Sequence, residues 1–319
     1  MKCCHFASLL LVCPLVAHAQ SYPAKPIHLV TIFVAGSSGD FSIRVLAPSL
    51  STSVGQPVVV ENVAGAGGAL ATERVARAAP DGHTLLATIA GTHIIRPFLT
   101  KNISYDPVKD FTPVTQTTES ITYLLAHQSV PVNSMRELID YAKANPRKIA
   151  YGSSGIGSPT HLLGEVVKQM TGADMVHVPY KAVATALQDT ISGQLQVSFA
   201  IAGGVRAAIR SGKIKVLATT GSLKDPAMPE VPTMPEVIPG YEPVPNWTGL
   251  FAPGGLSAPL LKRVHEDIVK ALNVPETKKK LAEGEFYVAT RTPEEFLAKI
   301  RAETALVARV VKSAGIQPE

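Results

Sequence analysis

The pattern that most limits how this chain can fold is a β-rich run that stops at a glycine–serine turn and restarts as an amphipathic helix, because it keeps recurring. Residues 27–34 run into Ala35-Gly36-Ser37-Ser38-Gly39-Asp40, after which Ile43, Leu46, Ala47, Leu50 and Val54 fall at helical spacing, with Asp40 placed as N-cap. Pro48 removes the bond to the Arg44 carbonyl inside that helix and predicts a kink. A second strand at 57–61 leads through Gly65-Ala66-Gly67-Gly68 into a helix reaching Ala79, halted by Pro80-Asp81-Gly82, and 84–89 is a third strand. Strands alternating with helices call for a mostly parallel sheet covered by helices.

A second block has the same outline. Ser134 and Glu137 form a capping box that opens a helix ending near Pro146, and 148–151 is a strand running into Gly152-Ser153-Ser154-Gly155-Ile156-Gly157-Ser158. Pro159 opens the next helix, with Leu162, Leu163, Val166, Val167 and Met170 on one face and Gly172 closing it. Strands at 175–178, 196–200 and 215–219 alternate with helices near 185–191 and 205–210. Prolines crowd 225–245, an extended crossing segment, before helices at about 258–272 and from Pro293 onward, the latter capped by Thr292 with Glu295.

The first residues read as an address. Lys2, an apolar stretch over 7–16 and the small-x-small site Ala17-His18-Ala19 predict a signal peptide over 1–19, cleaved after Ala19, and hence a periplasmic protein. Val12 and Pro14 around Cys13 argue against a lipidated cysteine. Cys3, Cys4 and Cys13 all leave with that segment, which removes disulfides, thiol catalysis and cysteine-ligated metals together. The remaining length suffices for two domains held by hydrophobic cores alone. No later segment reaches the ~20 uncharged residues of a spanning helix. The net charge of +5 is spread thinly. Its one cluster, Lys278-Lys279-Lys280, reads as a solvated helix face and not a nucleic-acid patch.

Chemistry concentrates at two loops, 36–40 and 153–158. Both join a strand end to a helix start, where small residues admit a ligand to the backbone and the helix dipole attracts an anion such as a carboxylate. Each could equally be a tight turn; their joint appearance favours a shared ligand. The 65–68 loop lacks the last glycine of a dinucleotide fingerprint, and Glu73 follows too soon to hold a ribose. A secreted hydrolase using Ser154 or Ser158 with His161, backed by Asp40, is the alternative, although Ile156 stands where a nucleophile elbow needs its second glycine. The histidines show no metal-ligand spacing, so neither metal nor cofactor is expected. Trp247, beside Asn246, reads as a core or hinge anchor, and Phe33 and Tyr180 as core residues or ligand walls.

Around these loops the chain resembles the Bug/TctC family, the extracytoplasmic substrate-binding proteins of tripartite tricarboxylate transporters. The resemblance rests on Tyr22-Pro23, Pro26-Ile27, the 35–40 loop with Arg44, Gly55-Gln56-Pro57-Val58-Val59-Val60-Glu61-Asn62, Gly65-Ala66-Gly67-Gly68 and Ala79-Pro80-Asp81-Gly82. It continues in Tyr105-Asp106-Pro107-Val108-Lys109-Asp110-Phe111, Ser154-Gly155-Ile156-Gly157-Ser158 with His161-Leu162, and Val176-His177-Val178-Pro179-Tyr180-Lys181. Val231-Pro232-Thr233, Pro239-Gly240-Tyr241 and Gly249-Leu250-Phe251-Ala252-Pro253 complete it.

The resemblance implies a two-lobed α/β type II periplasmic-binding-protein fold, the Venus flytrap, each lobe a mostly parallel sheet flanked by helices. Lobe 1 would comprise 20–121 and 240–319 and lobe 2 122–239, with crossovers near 117–124 and 220–248. It further implies a non-enzymatic monomer without cofactor that binds a small mono- or dicarboxylate for membrane transporter subunits or a sensor. The expected ligand-binding set is Phe33, Ala35, Gly36, Ser37, Ser38 and Asp40 from the first loop and Ala90, Gly91 and Thr92 after the third strand. Ser153, Ser154, Gly155, Gly157, Ser158, His161, Tyr180, Lys181, Phe199 and Ala200 complete the set. The chain departs from the family at Ser37 (commonly glycine), Ile32 (proline), Ala182 (glycine) and Ala200 (often aspartate), which points to a less polar distal pocket and a monocarboxylate or an apolar tail.

Overall fold

The structure of the protein is a computed structural model and describes residues 22–318; the expected signal segment, its cleavage site and the three cysteines lie outside the described residues. The chain opens with β1 (Ile27–Thr31), α1 (Ser38–Val54), β2 (Val58–Asn62), α2 (Ala69–Ala76), β3 (Thr84–Ile89) and β4 (Phe111–Ser120). A single residue, Ile121, separates β4 from β5 (Thr122–His127), which is followed by α3 (Met135–Ala144), β6 (Ile149–Ser153) and α4 (Pro159–Thr171). Next come β7 (Met175–Pro179), α5 (Val183–Ser192), β8 (Val197–Ile201), α6 (Arg206–Arg210) and β9 (Ile214–Thr219). A proline-rich return containing the one-turn α7 (Met234–Val237) leads to β10 (Trp247–Pro253), α8 (Ala258–Leu272), α9 (Pro275–Glu283), β11 (Phe286–Val288) and α10 (Pro293–Ser313).

These strands make two sheets, ordered β11-β4-β10-β3-β1-β2 and β7-β6-β8-β5-β9, and so two α/β lobes, as the fold class required. The sheets are mixed, which corrects the mostly parallel expectation. β1 is parallel to β2 and β3, and β6 to β7 and β8, while β10 and β11 run antiparallel in the first sheet and β5 runs antiparallel to β8 and β9 in the second. The parallel strands are those linked by crossover helices. The antiparallel pairings are those made by β4, β5 and β10, which stand next to the points where the chain passes between lobes, and by β11.

Helix ends follow local chemistry. The N-cap of α1 is Ser37, whose Oγ accepts from Asp40 N at 3.3 Å, and not Asp40 itself. The helix runs on through Pro48 to a left-handed Gly55. Gly172 closes α4 and Thr292 with Glu295 forms the full capping box of α10, both as expected, and the N-cap of α4 is Ser158, just before Pro159. At α3 Ser134 accepts from Glu137 N, but the Glu137 carboxylate reaches one residue further back, to Asn133 N. Ile43, Leu46 and Leu50 of α1 pack on Leu29 and Leu85 of the first sheet, and Leu162 and Val166 of α4 on Tyr151 and Phe199 of the second. Each such side chain contributes roughly 1.5–3 kcal/mol by leaving water.

Trp247 is buried at the start of β10, donates from Nε1 to Glu303 Oε2 at 2.7 Å and meets Phe296 edge-on, which makes it the anchor its composition suggested. At the crossings Asn246 Nδ2 donates to Ser120 O at 2.9 Å and Thr122 Oγ1 at 3.1 Å. Further out, Arg206 spans the lobes. It donates to the fully buried Asp225 of its own lobe at 3.1 Å and to Glu285, just before β11, at 2.9 Å. Among the described residues no helix is long and apolar enough to cross a membrane.

Candidate functional site

β1 lies between β2 and β3, so its carboxyl end points the chain to the edge of the first sheet facing the other lobe. There Gly36, at φ +81°, takes the left-handed turn into α1 that a side chain would strain. Gly39 serves close approach: a Cβ there would stand 2.3 Å from the Phe33 ring. The loop is held from behind by Asp40. Its carboxylate, 1% exposed, accepts from Gly36 N at 2.8 Å, Arg44 Nε at 2.8 Å and Asn62 Nδ2 at 2.7 Å. Asn62 also donates to Phe33 O at 3.0 Å and accepts from Arg44 Nη2 at 2.6 Å. Burial raises the Asp40 pKa, but the bonds from Arg44, Asn62 and Gly36 outweigh it and hold the carboxyl below its ordinary range. Asp40 is therefore a scaffold for the loop, its oxygens already occupied. The N–H groups of Ser38 and Gly39, in the first turn of α1, have no intrahelical acceptor.

The second loop, between β6 and α4, is organised inward. Ser154 N donates to Thr160 Oγ1 at 3.0 Å, Gly155 N to Ser153 Oγ at 3.1 Å, Gly157 N to His161 Nδ1 at 2.9 Å and Ser158 N to Gly155 O at 3.2 Å. His161 stacks on His177 with ring centres 3.8 Å apart, and His177 Nε2 shares a 2.6 Å hydrogen bond with Ser153 Oγ. Burial, then the neighbouring His161, pushes His177 down to about 4, and burial lowers His161 as well, so both rings are neutral near pH 7. Behind them Glu165 accepts from Tyr151 OH at 2.7 Å and from Lys168 at 2.8 Å.

Between the lobes lies a cleft of about 220 Å³. Phe33, Ser38, Gly39, Ile89, Ala90, Gly91, Trp247, Thr248 and Phe286 line it from the first lobe, and Pro159 and Ile201 from the second. Ser120, Pro245 and Asn246 close it at the crossings. Ala90 and Gly91 stand at the head of a five-residue π-turn, Gly91–Ile95, a rare conformation. Of the expected site residues, Phe33, Ser38, Ala90 and Gly91 meet here; Gly36, Ser37 and Asp40 support them. Ala35 and Lys181 point to solvent, and Thr92 is buried with its hydroxyl on Gly67 O. Ser153, Gly157 and His161 are buried under the second loop, with Ser154, Gly155 and Ser158 partly exposed on it. Tyr180 ties its hydroxyl to Asp189 Oδ2 at 2.8 Å. Phe199 and Ala200 belong to the core of the second lobe, and the residue of β8 that reaches the cleft is the next one, Ile201. Sequence reasoning missed Ile89, Ser120, Ile201 and Phe286, each at the end of a strand whose partner is far along the chain.

A hydrolase is not assembled. Ser154 Oγ faces Thr160 Oγ1 and Ser158 Oγ caps α4, while the His161 ring is held by Gly157 N and its stack. The hydroxyl that does meet an imidazole in this loop, Ser153, is 1% exposed and also bonded to Gly155. Among the described residues no group of three His, Cys, Asp or Glu side chains could hold a metal ion.

The comparisons agree with this architecture. The family model described as "Tripartite tricarboxylate transporter family receptor" matches residues 42–316. A relative from Cupriavidus necator, "UPF0065 protein in gbd 5'region", is 34% identical over 301 residues, 93% of this chain and 91% of its own. A solved "periplasmic transporter" is 35% identical with a TM-score of 0.72, covering 93% of this chain and 99% of its own. The R. palustris protein Rpa4515, solved with adipate, is 31% identical with a TM-score of 0.74, covering 93% and 100%. With a shared two-lobed fold and a family match over most of its length, the chain belongs to the TctC family of tripartite tricarboxylate transporter receptors.

Proposed function

We propose that this chain captures a small carboxylate between its lobes in the periplasm and hands it, chemically unchanged, to a membrane transporter of the tripartite tricarboxylate class. The observation that carries the reading is the first turn of α1. There the Ser38 and Gly39 N–H groups, fixed from behind by Asp40, open onto an uncharged cleft that the second lobe faces with Pro159 and Ile201. A helix start carries about half a positive charge, enough to favour a carboxylate in a site shielded from water. The lobes, divided at the 117–124 and 220–248 crossings, close on the ligand because it touches both, the first through Ser38 and Gly39 and the second through Pro159 and Ile201. Family membership, the periplasmic transporter among the similar structures and the adipate complex of Rpa4515 support the same reading. The protein acts as a monomer.

A thermal-shift screen of the protein against a panel of carboxylates tests it. A ligand at 100 times its dissociation constant stabilises by about 2.7 kcal/mol and is recovered intact. Gly36→Val, which forces a β-branched residue into the left-handed region, abolishes that shift while the circular dichroism spectrum stays native. Conversion of the ligand over time, lost in Ser154→Ala, would return the hydrolase.

A further inference from the structure

The cleft is lopsided. One end has Ser38 and Gly39 of the first turn of α1. The remainder of its wall is mostly apolar, with Phe33 and Ile89 from the first sheet, Phe286 from β11 and Ile201 from β8, interrupted by the neutral polar side chains of Ser120, Asn246 and Thr248. Trp247 adds only carbon, because its single donor is committed to Glu303, and both Nδ2 hydrogens of Asn246 are committed to Ser120 O and Thr122 Oγ1. No lysine, arginine or histidine is among the lining residues. Of the cations that flank the interlobe region, Arg44 is occupied by Asp40, Arg206 by Asp225 and Glu285, and Lys299 by Glu303, while Arg291, on the far side of Ser120 and Asn246, donates from Nε to Gln116 Oε1 at 3.3 Å. Opposite the anion seat stands Ile201, an isoleucine left 45% exposed at the end of a buried strand.

From this arrangement we infer that the ligand is a monocarboxylate with an apolar body, its charge at the first turn of α1 and its hydrocarbon end against Ile201 and Phe286; the inference rests on the carboxylate reading above. Two physical effects set the preference. An apolar tail covers side chains that otherwise face water. A second carboxylate at that end would lose its hydration with no cation to replace it. The second loop does not supply a replacement, because the amides of Ser154, Gly155, Gly157 and Ser158 all bond within the loop. In this respect the chain would differ from Rpa4515, whose solved complex contains the dicarboxylate adipate.

Hexanoate and adipate differ only in whether the far end of the same six-carbon chain is a methyl or a carboxylate, so calorimetric titration of the purified protein with both is the direct test. Hexanoate is expected to bind at least about tenfold more tightly, the free-energy gap expected for an unpaired buried charge being larger than this. Ile201→Arg, at a half-exposed position where folding tolerates it, is expected to reverse the order by giving the distal carboxylate a partner. Adipate binding as tightly as hexanoate in the parent protein overturns the inference and leaves the carboxylate reading standing. An unchanged preference in Ile201→Arg overturns the placement of the tail. Absence of binding by hexanoate, benzoate and adipate alike removes the carboxylate reading and this inference together.

Discussion

The two glycine–serine loops look alike in sequence and are built to opposite plans. In the β1–α1 loop the stabilising groups sit behind the backbone, so Asp40 and Asn62 fix Gly36 and Phe33 while Ser38 and Gly39 of the first turn line the cleft. In the β6–α4 loop the stabilising groups are the loop's own hydroxyls and the imidazole of His161, and they take up the amides that a ligand would need. Under the proposed function, only the loop held in shape from behind serves as the anion seat.

Asp40→Ala tests this contrast most severely. Without the carboxylate, Gly36, Arg44 and Asn62 lose their shared partner, and we expect a loss of about 2–3 kcal/mol in stability and about a hundredfold in carboxylate affinity. The matched change His161→Leu keeps an apolar ring substitute against His177 and releases Gly157 N; it should cost about 1–2 kcal/mol in urea unfolding but less than about fivefold in affinity. Equal affinity losses in the two variants would make the loops equivalent and the distinction empty.

Acid should separate them next. Burial and the facing ring hold His177 at about 4, below its free value near 6.5, so the unfolded chain takes up the proton first as pH falls. The stabilisation is whole above about pH 6.5, declines below it and is gone under about pH 4, a loss of about 1–2 kcal/mol after allowance for the partly exposed ring. Asp40 has the same sign in a lower window: its folded pKa is depressed, so its contribution is whole above the ordinary carboxylate range and is lost only as pH falls below it. Amide-exchange protection at Gly157 should therefore fall about tenfold between pH 6.5 and 4 while that at Gly36 holds. The smallest effects belong to the caps. Ser37→Ala and Ser158→Ala should each cost about 1 kcal/mol in stability, with only the former weakening the ligand measurably.

Much of this was readable from residues alone because parallel strands announce themselves. β1, β3, β6 and β7 are apolar runs each tied to an amphipathic helix, and the caps of α4 and α10 are local chemistry that distant contacts do not alter. β4 left no such trace: Thr115, Gln116, Thr117 and Thr118 are polar yet buried, paired across to β10 more than a hundred residues away, and Pro113 interrupts any alternation. The site divides along the same line. Phe33, Ser38, Ala90 and Gly91 follow strands that the pattern reveals, whereas Ile201, Phe286 and Asn246 reach the cleft through pairings or crossings that no local window contains. Ala200 drew notice as the departure from the family, but the pleat turns it into the core and offers its neighbour instead.

Ile121 alone separates the last residue of β4 from the first of β5, and Asn246 bonds across that joint to Ser120 and Thr122. In the proposed capture, so short and so firmly tied a connection would let the lobes swing but not slide. A body that can only swing translates the thickness of whatever it grips into an angle, and magnifies that angle into a displacement at its outer rim. In that proposed capture, whatever meets the two rims from outside would gauge the size of the cargo without touching it.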